Sequence, residues 1–124
     1  MERIISDGAP DAIGPYIHAT KSNNLVFTSG QIGLDPKSGK LADGFDAQAK
    51  LALDNLKNIL ETSGSDFDHV LKVTIYLDDL ANFAKVNDIY KGYFNEGFPA
   101  RTAFEVAKLP MDAKIEIEAI AEVK

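Results

Sequence analysis

An α+β fold, with two helices packed on one face of a single mixed β-sheet, is what the sequence predicts. Apolar residues alternate with polar ones near both ends of the chain, which is typical of β-strands, and recur every three or four residues in two central segments, which is typical of helices. The predicted order is strand, strand, strand, helix, strand, helix, strand, strand. The length of 124 residues suits one domain, residues 1–124, and no repeat, linker or low-complexity segment divides it.

The first part of the chain is predicted to form strands and turns. A short apolar run at residues 3–5 indicates a first strand, and a loop rich in glycine and proline follows it. Residues 16–20 and 25–32 indicate a hairpin whose turn is residues 21–24. Gly30 lies inside the second of these strands. A glycine there marks either a bulge or the close approach of another group to the backbone, and spacing alone favours the bulge.

Two helices are predicted in the middle of the chain, with one strand between them. The first helix begins near Gly44, ends near Gly64, and has an apolar stripe formed by Ala49, Ala52, Leu53, Leu56, Ile59 and Leu60. The strand runs from His69 to Leu77. Its alternation predicts one face with Leu71, Val73, Ile75 and Leu77, and a second face with Val70, Lys72, Thr74 and Tyr76.

The second helix is predicted to end at Gly97, with a stripe formed by Phe83, Val86, Asn87, Tyr90 and Phe94. Asn87 interrupts this stripe, because a buried amide must find hydrogen-bond partners. It is either a core asparagine bonded to the backbone, which the pattern alone favours, or part of a pocket wall.

The last two strands flank a turn at residues 110–112. In the first strand, Arg101, Ala103, Glu105 and Ala107 share one face, and Thr102, Phe104 and Val106 share the other. In the second strand, Ile115, Ile117, Ala119 and Ala121 share one face, and Glu116, Glu118 and Ile120 share the other. We expect the apolar face of each strand to cover the core. The second face of the sheet then carries Arg101, Glu105, Glu116 and Glu118, which suits a subunit interface in a closed cyclic oligomer.

Composition excludes several classes of function. The formal net charge is -6, which argues against a general nucleic-acid binder because such proteins need a basic surface. The chain has no cysteine, so disulfides, thiolate metal ligands and a cysteine nucleophile are excluded. Two scattered histidines make no convincing metal site. No apolar signal region or run of roughly 18 apolar residues is present, so we expect a cytoplasmic protein without membrane contact.

Arg101 and Glu116 are the strongest candidates for chemistry. The guanidinium of Arg101 matches a carboxylate with two parallel hydrogen bonds, although an ion pair with Glu105 or Glu118 is an equally good interpretation. Glu116 is a candidate general base, or else a member of a structural ion pair. Hairpin pairing of the last two strands would separate Arg101 from Glu116 by about 20 Å. Either the strands are not hairpin partners or one site is shared between subunits.

Two further residues have open roles at this point. Ser29 offers a hydroxyl beside Gly30, but no histidine or acid has triad spacing to it, so a serine nucleophile is not expected. Tyr16 lies at a junction between loop and strand, where it is either a pocket wall or core filler.

Several motifs resemble those of the RidA/YjgF family of reactive-intermediate imine deaminases. They cover most of the chain and include Ala12-Ile13-Gly14-Pro15-Tyr16, Thr28-Ser29-Gly30-Gln31-Ile32-Gly33, Arg101-Thr102-Ala103 and Ile115-Glu116-Ile117-Glu118-Ala119-Ile120-Ala121. The resemblance implies a chorismate-mutase-like fold, a homotrimer with clefts between subunits, and no cofactor. It also implies hydrolysis of enamines and imines such as 2-aminoacrylate, 2-iminopropanoate and 2-iminobutanoate to 2-oxo acids and ammonia.

The resemblance also implies a role for each site residue. Arg101 would bind the substrate carboxylate, Glu116 would position or activate water, and Gly30 and Ala103 would offer backbone contacts. Tyr16, Ser29 and Asn87 would line the cleft. Ala103 departs from the cysteine that the family often has. Two alternatives stay open: a non-enzymatic binder of 2-oxo acids, and an endoribonuclease or translation inhibitor, which the acidic composition disfavours.

Overall fold

Seven strands and two helices make up the computed structural model, which describes residues 1–124. The strands are β1 (Glu2–Ile4), β2 (Ala19–Ser22), β3 (Leu25–Thr28), β4 (Gln31–Ile32), β5 (Val70–Leu77), β6 (Ala100–Glu105) and β7 (Ile115–Glu122). The helices are α1 (Phe45–Thr62), between β4 and β5, and α2 (Phe83–Tyr90), between β5 and β6. The predicted order of elements is confirmed, with β4 as one additional short strand.

The strands form one mixed sheet in the order β1-β2-β3-β7-β5-β6, and β4 pairs with β7 beyond the end of β3. The pair of β5 and β6 is parallel, and the other pairs are antiparallel. Because β5 lies between β6 and β7, the last two strands of the chain are not hairpin partners. Of the two alternatives that the sequence left open, the first, that these strands are not hairpin partners, is therefore correct.

Both helices cover the same face of this sheet, as predicted. The stripe of α1 is buried against the sheet through Ala49, Ala52, Leu53, Leu56, Ile59 and Leu60. Val86 and Tyr90 of α2 join the same core. α1 ends just before Gly64, whose φ of 83° is the left-handed conformation that favours glycine after a helix. No helix has the length and apolar character that crossing a membrane requires.

The predicted faces of β5 are wrong at its start. Val70 pairs with Ala121 and Lys72 pairs with Ile120, so Leu71 is an extra residue in the ladder. This bulge reverses the alternation: Val70 is buried, whereas Leu71 is 43% exposed. From Val73 onward the predicted core face is correct.

The two predicted faces of β6 group the right residues, but the apolar face was expected to cover the core and that expectation is wrong. Arg101, Ala103 and Glu105 pair with the buried β5 residues Val73, Ile75 and Leu77, and so they lie on the helix side of the sheet. Thr102 and Phe104 lie on the open side with Glu116 and Glu118, and Phe104 is 43% exposed. Because β6 is an edge strand, the helices cover it only in part, and small or charged side chains are tolerated on its helix side.

Helix α2 is shorter than predicted. It ends at Tyr90, not at Gly97, and a single 3₁₀ turn at Lys91–Tyr93 follows. Phe94 is still buried, because its ring packs against the rings of Phe67 and Tyr90 at centroid distances of 5.2 and 4.6 Å. Aromatic packing therefore continues the apolar stripe after the helix has ended.

The hairpin of β2 and β3 is confirmed, but its strands are shorter than predicted. β2 begins only at Ala19, and β3 ends at Thr28, so Ser29 and Gly30 lie between β3 and β4 without being part of either strand. The buried amide of Asn55 in α1 donates hydrogen bonds to the carbonyls of Ile32 and Leu34, at 3.1 and 2.9 Å. The helix thus fixes the segment that follows Gly30.

Candidate functional site

Glu116 lies at the floor of a cavity on the open face of the sheet. This cavity has a volume of about 390 Å³. Its lining residues are Ile13, Tyr16, Thr28, Ser29, Gly30, Ile32, Pro110, Glu116 and Glu118. The pKa of Glu116 is raised above its usual value, first because burial disfavours the charged carboxylate and second because Glu118 carries a nearby negative charge. A carboxyl group with a raised pKa is a stronger base than an ordinary glutamate, which suits it to accept a proton from water.

Gly30 gives the carboxyl group of Glu116 its space. A Cβ atom at Gly30 would lie 2.8 Å from Cδ and 3.0 Å from Cγ of Glu116, and closer still to Oε2. The glycine is therefore required by close approach, which is the alternative that spacing alone did not favour. Its φ is not in the left-handed region, so space and not backbone conformation explains it.

Ser29 and Tyr16 contribute to the wall of the same cavity. The hydroxyl of Ser29 donates a hydrogen bond to the carbonyl of Ile17, so its proton is already used while its oxygen can still accept. Tyr16 is 47% exposed, and its hydroxyl accepts a hydrogen bond from the N–H of Ile13 at 3.3 Å. Tyr16 is thus a cavity wall and not core filler.

His18 anchors the loop that carries Tyr16. The imidazole is buried, with Nδ1 accepting from the N–H of Ser6 at 2.9 Å and Nε2 facing the carbonyl of Pro10 at 2.7 Å. Because Nδ1 accepts, Nε2 carries the hydrogen and donates it to Pro10, so the ring is the neutral tautomer. The histidine holds both ends of the loop, and sequence reasoning did not detect this role.

Glu118 lies beside Glu116 but has a different environment. The hydroxyl of Tyr76 on β5 donates a hydrogen bond to Oε1 of Glu118 at 2.6 Å. This bond, burial and the two carboxylate charges raise the pKa of Tyr76 to about 12. The ring of Tyr76 packs edge-to-face on Phe104, with 5.3 Å between the centroids. One signal for Glu118 is visible in the sequence: it follows Glu116 by two residues and so shares its face.

Arg101 lies in a second cavity, on the helix side of the sheet. This cavity has a volume of about 400 Å³ and is lined by Asn87, Tyr90, Lys91, Phe98, Pro99 and Arg101. The guanidinium donates a hydrogen bond to Oδ1 of Asn87 at 2.6 Å. Its Cζ lies 4.9 Å from the ring centroid of Tyr90 and 5.4 Å from that of Phe83. Asn87 therefore belongs to a pocket wall, which is the alternative that the helical pattern disfavoured.

Arg101 takes part in none of the ion pairs of the chain. The expected partners are engaged elsewhere: Glu105 accepts the N–H of Leu80 at 2.8 Å, and Glu118 accepts the hydroxyl of Tyr76. Aromatic rings and an amide thus hold the cation in place without neutralising it. Phe98 and Tyr90, which sequence reasoning did not assign to a site, form the apolar part of this cavity.

Ala103 lines neither cavity. Its side chain packs against the core. Val106 donates its N–H to the carbonyl of Leu77, and alternation along a parallel pair then directs the main-chain groups of Ala103 away from β5. Since β6 is the last strand of the sheet, these N–H and C=O groups face outward at a free edge. They are available for the backbone contacts that the motifs predicted.

The two cavities do not meet within one chain. Arg101 is on the helix side of the sheet and Glu116 is on the open side, two strands away. At usual strand spacing their backbones are separated by about 10 Å across the sheet and about 10 Å along it. The structure therefore brings Tyr16, Ser29, Gly30 and Glu116 together, and separately Asn87 and Arg101. No group of three or more His, Asp or Glu side chains is placed to hold a metal ion.

Comparison with known proteins identifies the family. The family model described as Endoribonuclease L-PSP matches residues 6–123, so the chain belongs to this family, the YjgF/RidA family, and the motif-based prediction is confirmed. The 2-iminobutanoate/2-iminopropanoate deaminase of Homo sapiens is 50% identical over 123 residues, which are 98% of this chain and 90% of that protein.

Two solved structures have the same fold. The YjgF gene product of E. coli is 43% identical, with a TM-score of 0.95 and coverage of 100% of both chains. E. coli TdcF with bound serine is 39% identical, with a TM-score of 0.96 and again 100% coverage of both chains. The α+β class with one mixed sheet and two helices is thus confirmed.

Proposed function

We propose that this protein is a hydrolytic deaminase that converts small 2-imino acids, and the enamines in equilibrium with them, to 2-oxo acids and ammonia. Its substrates would include 2-iminopropanoate and 2-iminobutanoate. Support comes from the human relative, which is 50% identical over 98% of this chain and whose name states this activity. The Salmonella typhimurium protein of the same name, 47% identical over 121 residues, supports it as well.

The observation that carries the proposal is the unneutralised guanidinium of Arg101. Rings cover its faces and Asn87 takes one N–H, which leaves the remaining donors on its edge for a ligand. A planar fork of N–H donors matches a carboxylate with two parallel hydrogen bonds. A 2-imino acid has such a carboxylate beside its reactive carbon. Serine, which is bound in the related TdcF structure, also has a carboxylate next to a carbon that carries nitrogen.

Glu116 supplies the second requirement, a group that exchanges protons with water. A protonated imine is already electrophilic, so the reaction mainly needs oriented substrate and a delivered water molecule. As the water oxygen bonds to the imine carbon, Glu116 accepts its proton. Glu116 then passes this proton to the amine nitrogen of the resulting carbinolamine. The C–N bond breaks and ammonia leaves, while the carbinolamine hydroxyl gives its own proton to Glu116 and becomes the C=O group of the 2-oxo acid. The raised pKa of Glu116 suits both transfers.

We further propose that one catalytic site is shared between two copies of the chain, in a homotrimer with a chorismate-mutase-like arrangement. Arg101 and Asn87 would come from one copy, and Glu116, Gly30, Ser29 and Tyr16 from its neighbour. The separation of the two cavities on opposite faces of the sheet supports this arrangement. The free edge of β6 and the exposed apolar residues Phe27 and Phe104 on the open face support it too, since a covered surface suits them.

The test is turnover of freshly generated imine. An amino-acid oxidase produces 2-iminobutanoate from 2-aminobutanoate, and lactate dehydrogenase reports the 2-oxo acid through NADH consumption. We expect acceleration over the spontaneous reaction, and loss of at least about 100-fold in kcat/KM for Arg101→Ala, because two charge-assisted hydrogen bonds of about 1.5–3 kcal/mol each are removed. Binding of 2-oxobutanoate without acceleration would indicate a non-enzymatic binder, and retained activity in Arg101→Ala would contradict its role.

A further inference from the structure

Two carboxyl groups line one cavity, and the structure treats them differently. Glu116 and Glu118 project from the same side of β7, where residues two apart are about 7 Å from each other. Glu116 extends over Gly30 and has no hydrogen-bond donor from the rest of the chain, whereas Glu118 receives the hydroxyl of Tyr76 at 2.6 Å. A hydrogen bond of this kind to a carboxylate stabilises its charged form.

Tyr76 is placed for this contact by two neighbours. In the sheet it pairs with Glu116 on β7 and with Phe104 on β6, so its hydroxyl reaches Glu118 diagonally. The edge-to-face packing of Phe104, at an interplanar angle of 84°, fixes the plane of the tyrosine ring. The side chain is half-buried, which limits competition from water for its hydroxyl.

No cation lines the cavity that Glu116 and Glu118 share. The titratable groups that line the cavity with Glu116 are Glu118 and Tyr16, and the remaining lining residues are neutral. From β5, the titratable group facing Glu116 is Tyr76, while β4 presents only Gln31 and Ile32. Two lysines lie further along this side of the sheet, and both have other partners: Lys72 donates to the hydroxyl of Thr102 at 3.0 Å, and Lys114 lies 3.9 Å from the carboxylate of Asp78. The negative charge of Glu118 therefore acts on Glu116 without a nearby cation to offset it.

We propose that Tyr76 is a positioning residue of the deaminase: by tethering the carboxylate of Glu118 it makes Glu116 the one carboxyl group that exchanges protons with the substrate. This inference rests on the proposed function. With the tether, the charge of Glu118 stays close to Glu116 and favours the protonated form of Glu116. Without the hydroxyl of Tyr76, the carboxylate of Glu118 can move away from Glu116 and can itself bind the proton. Each change lowers the negative charge close to Glu116. Environments that separate two carboxyl groups in this way assign acid and base roles.

The test is a double-mutant cycle on the pH dependence of kcat. We expect the acid limb, which reports deprotonation of Glu116, to move to lower pH in Tyr76→Phe and further in Glu118→Gln, with KM unchanged. Because Tyr76 acts through Glu118, the double variant should match Glu118→Gln. The matched control is Tyr93→Phe, which removes a tyrosine hydroxyl that donates to Asp54 of α1, on the other side of the sheet, and should leave the limb in place.

A ¹³C NMR titration of the Glu116 carboxyl group, without substrate, separates this inference from the proposed function. A downward shift of this midpoint in Tyr76→Phe supports the inference, whether or not the wild-type protein turns over imine. Absence of turnover in the wild-type protein would overturn the deaminase assignment alone. Normal turnover with an unmoved limb and midpoint in Tyr76→Phe overturns the inference. Additive shifts in the double variant overturn it as well, since they would mean that Tyr76 acts independently of Glu118.

Discussion

Mixing two variants that we expect to be inactive tests the shared site directly. Arg101→Ala damages the cavity on the helix side, and Glu116→Gln damages the cavity on the open side. In a three-membered ring, each crevice takes its arginine from one copy and its glutamate from the next. Every ring that contains both variants then has one crevice with both residues intact, whichever variant is in excess. A mixed trimer should therefore recover about one third of the wild-type kcat per ring, although each variant alone is inactive.

The experiment needs rings that contain both variants. The two chains are co-expressed with different affinity tags, purified through both tags in sequence, and assayed with freshly generated 2-iminobutanoate. The matched control combines Arg101→Ala with Asn87→Ala, because both changes lie in the same half of the site and every crevice then stays damaged.

The recovered fraction is diagnostic. No recovery in the mixed rings would refute the shared site, because both residues would then act from one chain. Recovery of about one half would support sharing but contradict the trimer, since a two-membered ring has one intact crevice of two.

Three other changes test parts of the site. Gly30→Ala should displace the carboxyl group of Glu116 and lower kcat by about 100-fold, the scale of loss from a 1 Å misplacement, whereas Gly92→Ala, where a Cβ meets nothing within 4 Å, should leave kcat unchanged; equal activities would contradict the close approach. His18→Leu should lower the free energy of unfolding by about 2–6 kcal/mol in chemical denaturation, because two buried polar partners lose their bonds, while His18→Gln can replace both bonds and should cost less. The raised pKa of Glu116 means that the folded state binds its proton more tightly than the unfolded state, so stability should decline as pH rises from about 4.5 through the folded value; Glu116→Gln should remove this decline and melt at a higher temperature than wild type at pH 7, and identical melting profiles would show that no such shift exists.

The order of elements and most of the core were accessible from periodicity alone. The stripe of α1 and the alternation of β7 are strong signals. The stripe continues over several helical turns, and the alternation continues over the whole strand. One error arose where a single residue changes the phase. The extra residue at Leu71 reverses the faces at the start of β5, and no local signal marks that bulge.

The face of β6 could not be derived from its own sequence. Phe104 and Thr102 form the more apolar side, yet Arg101 and Ala103 face the helices. Which side of an edge strand meets the core depends on its neighbour, and pairing with β5 is a long-range contact that periodicity does not encode. The consequence for the site is large, since this assignment places Arg101 and Glu116 on opposite faces of the sheet.

Site residues divide in the same way. The family motifs located Tyr16, Ser29, Gly30, Asn87, Arg101, Ala103 and Glu116 by position, and their roles stay predictions until variants are assayed. The reason for Gly30 lies in the fold and not in local sequence, because the carboxyl group of Glu116, 86 positions further along the chain, occupies the space of a side chain there. The tether between Tyr76 and Glu118 is likewise a diagonal contact between neighbouring strands, and its two residues are 42 positions apart in the chain.

The outer edge of β6 has a consequence for a newly made copy of the chain. Its unpaired N–H and C=O groups form a template to which a foreign strand can add, as happens at unprotected edges in fibrils. The charges of Arg101 and Glu105 near its two ends oppose such growth, but the stretch between them is small or apolar. In the proposed trimer this edge would be covered, so single copies of the chain would be the species most prone to aggregate. Variants whose substitutions prevent another copy from packing at this edge should accumulate as insoluble protein, even when each chain folds correctly.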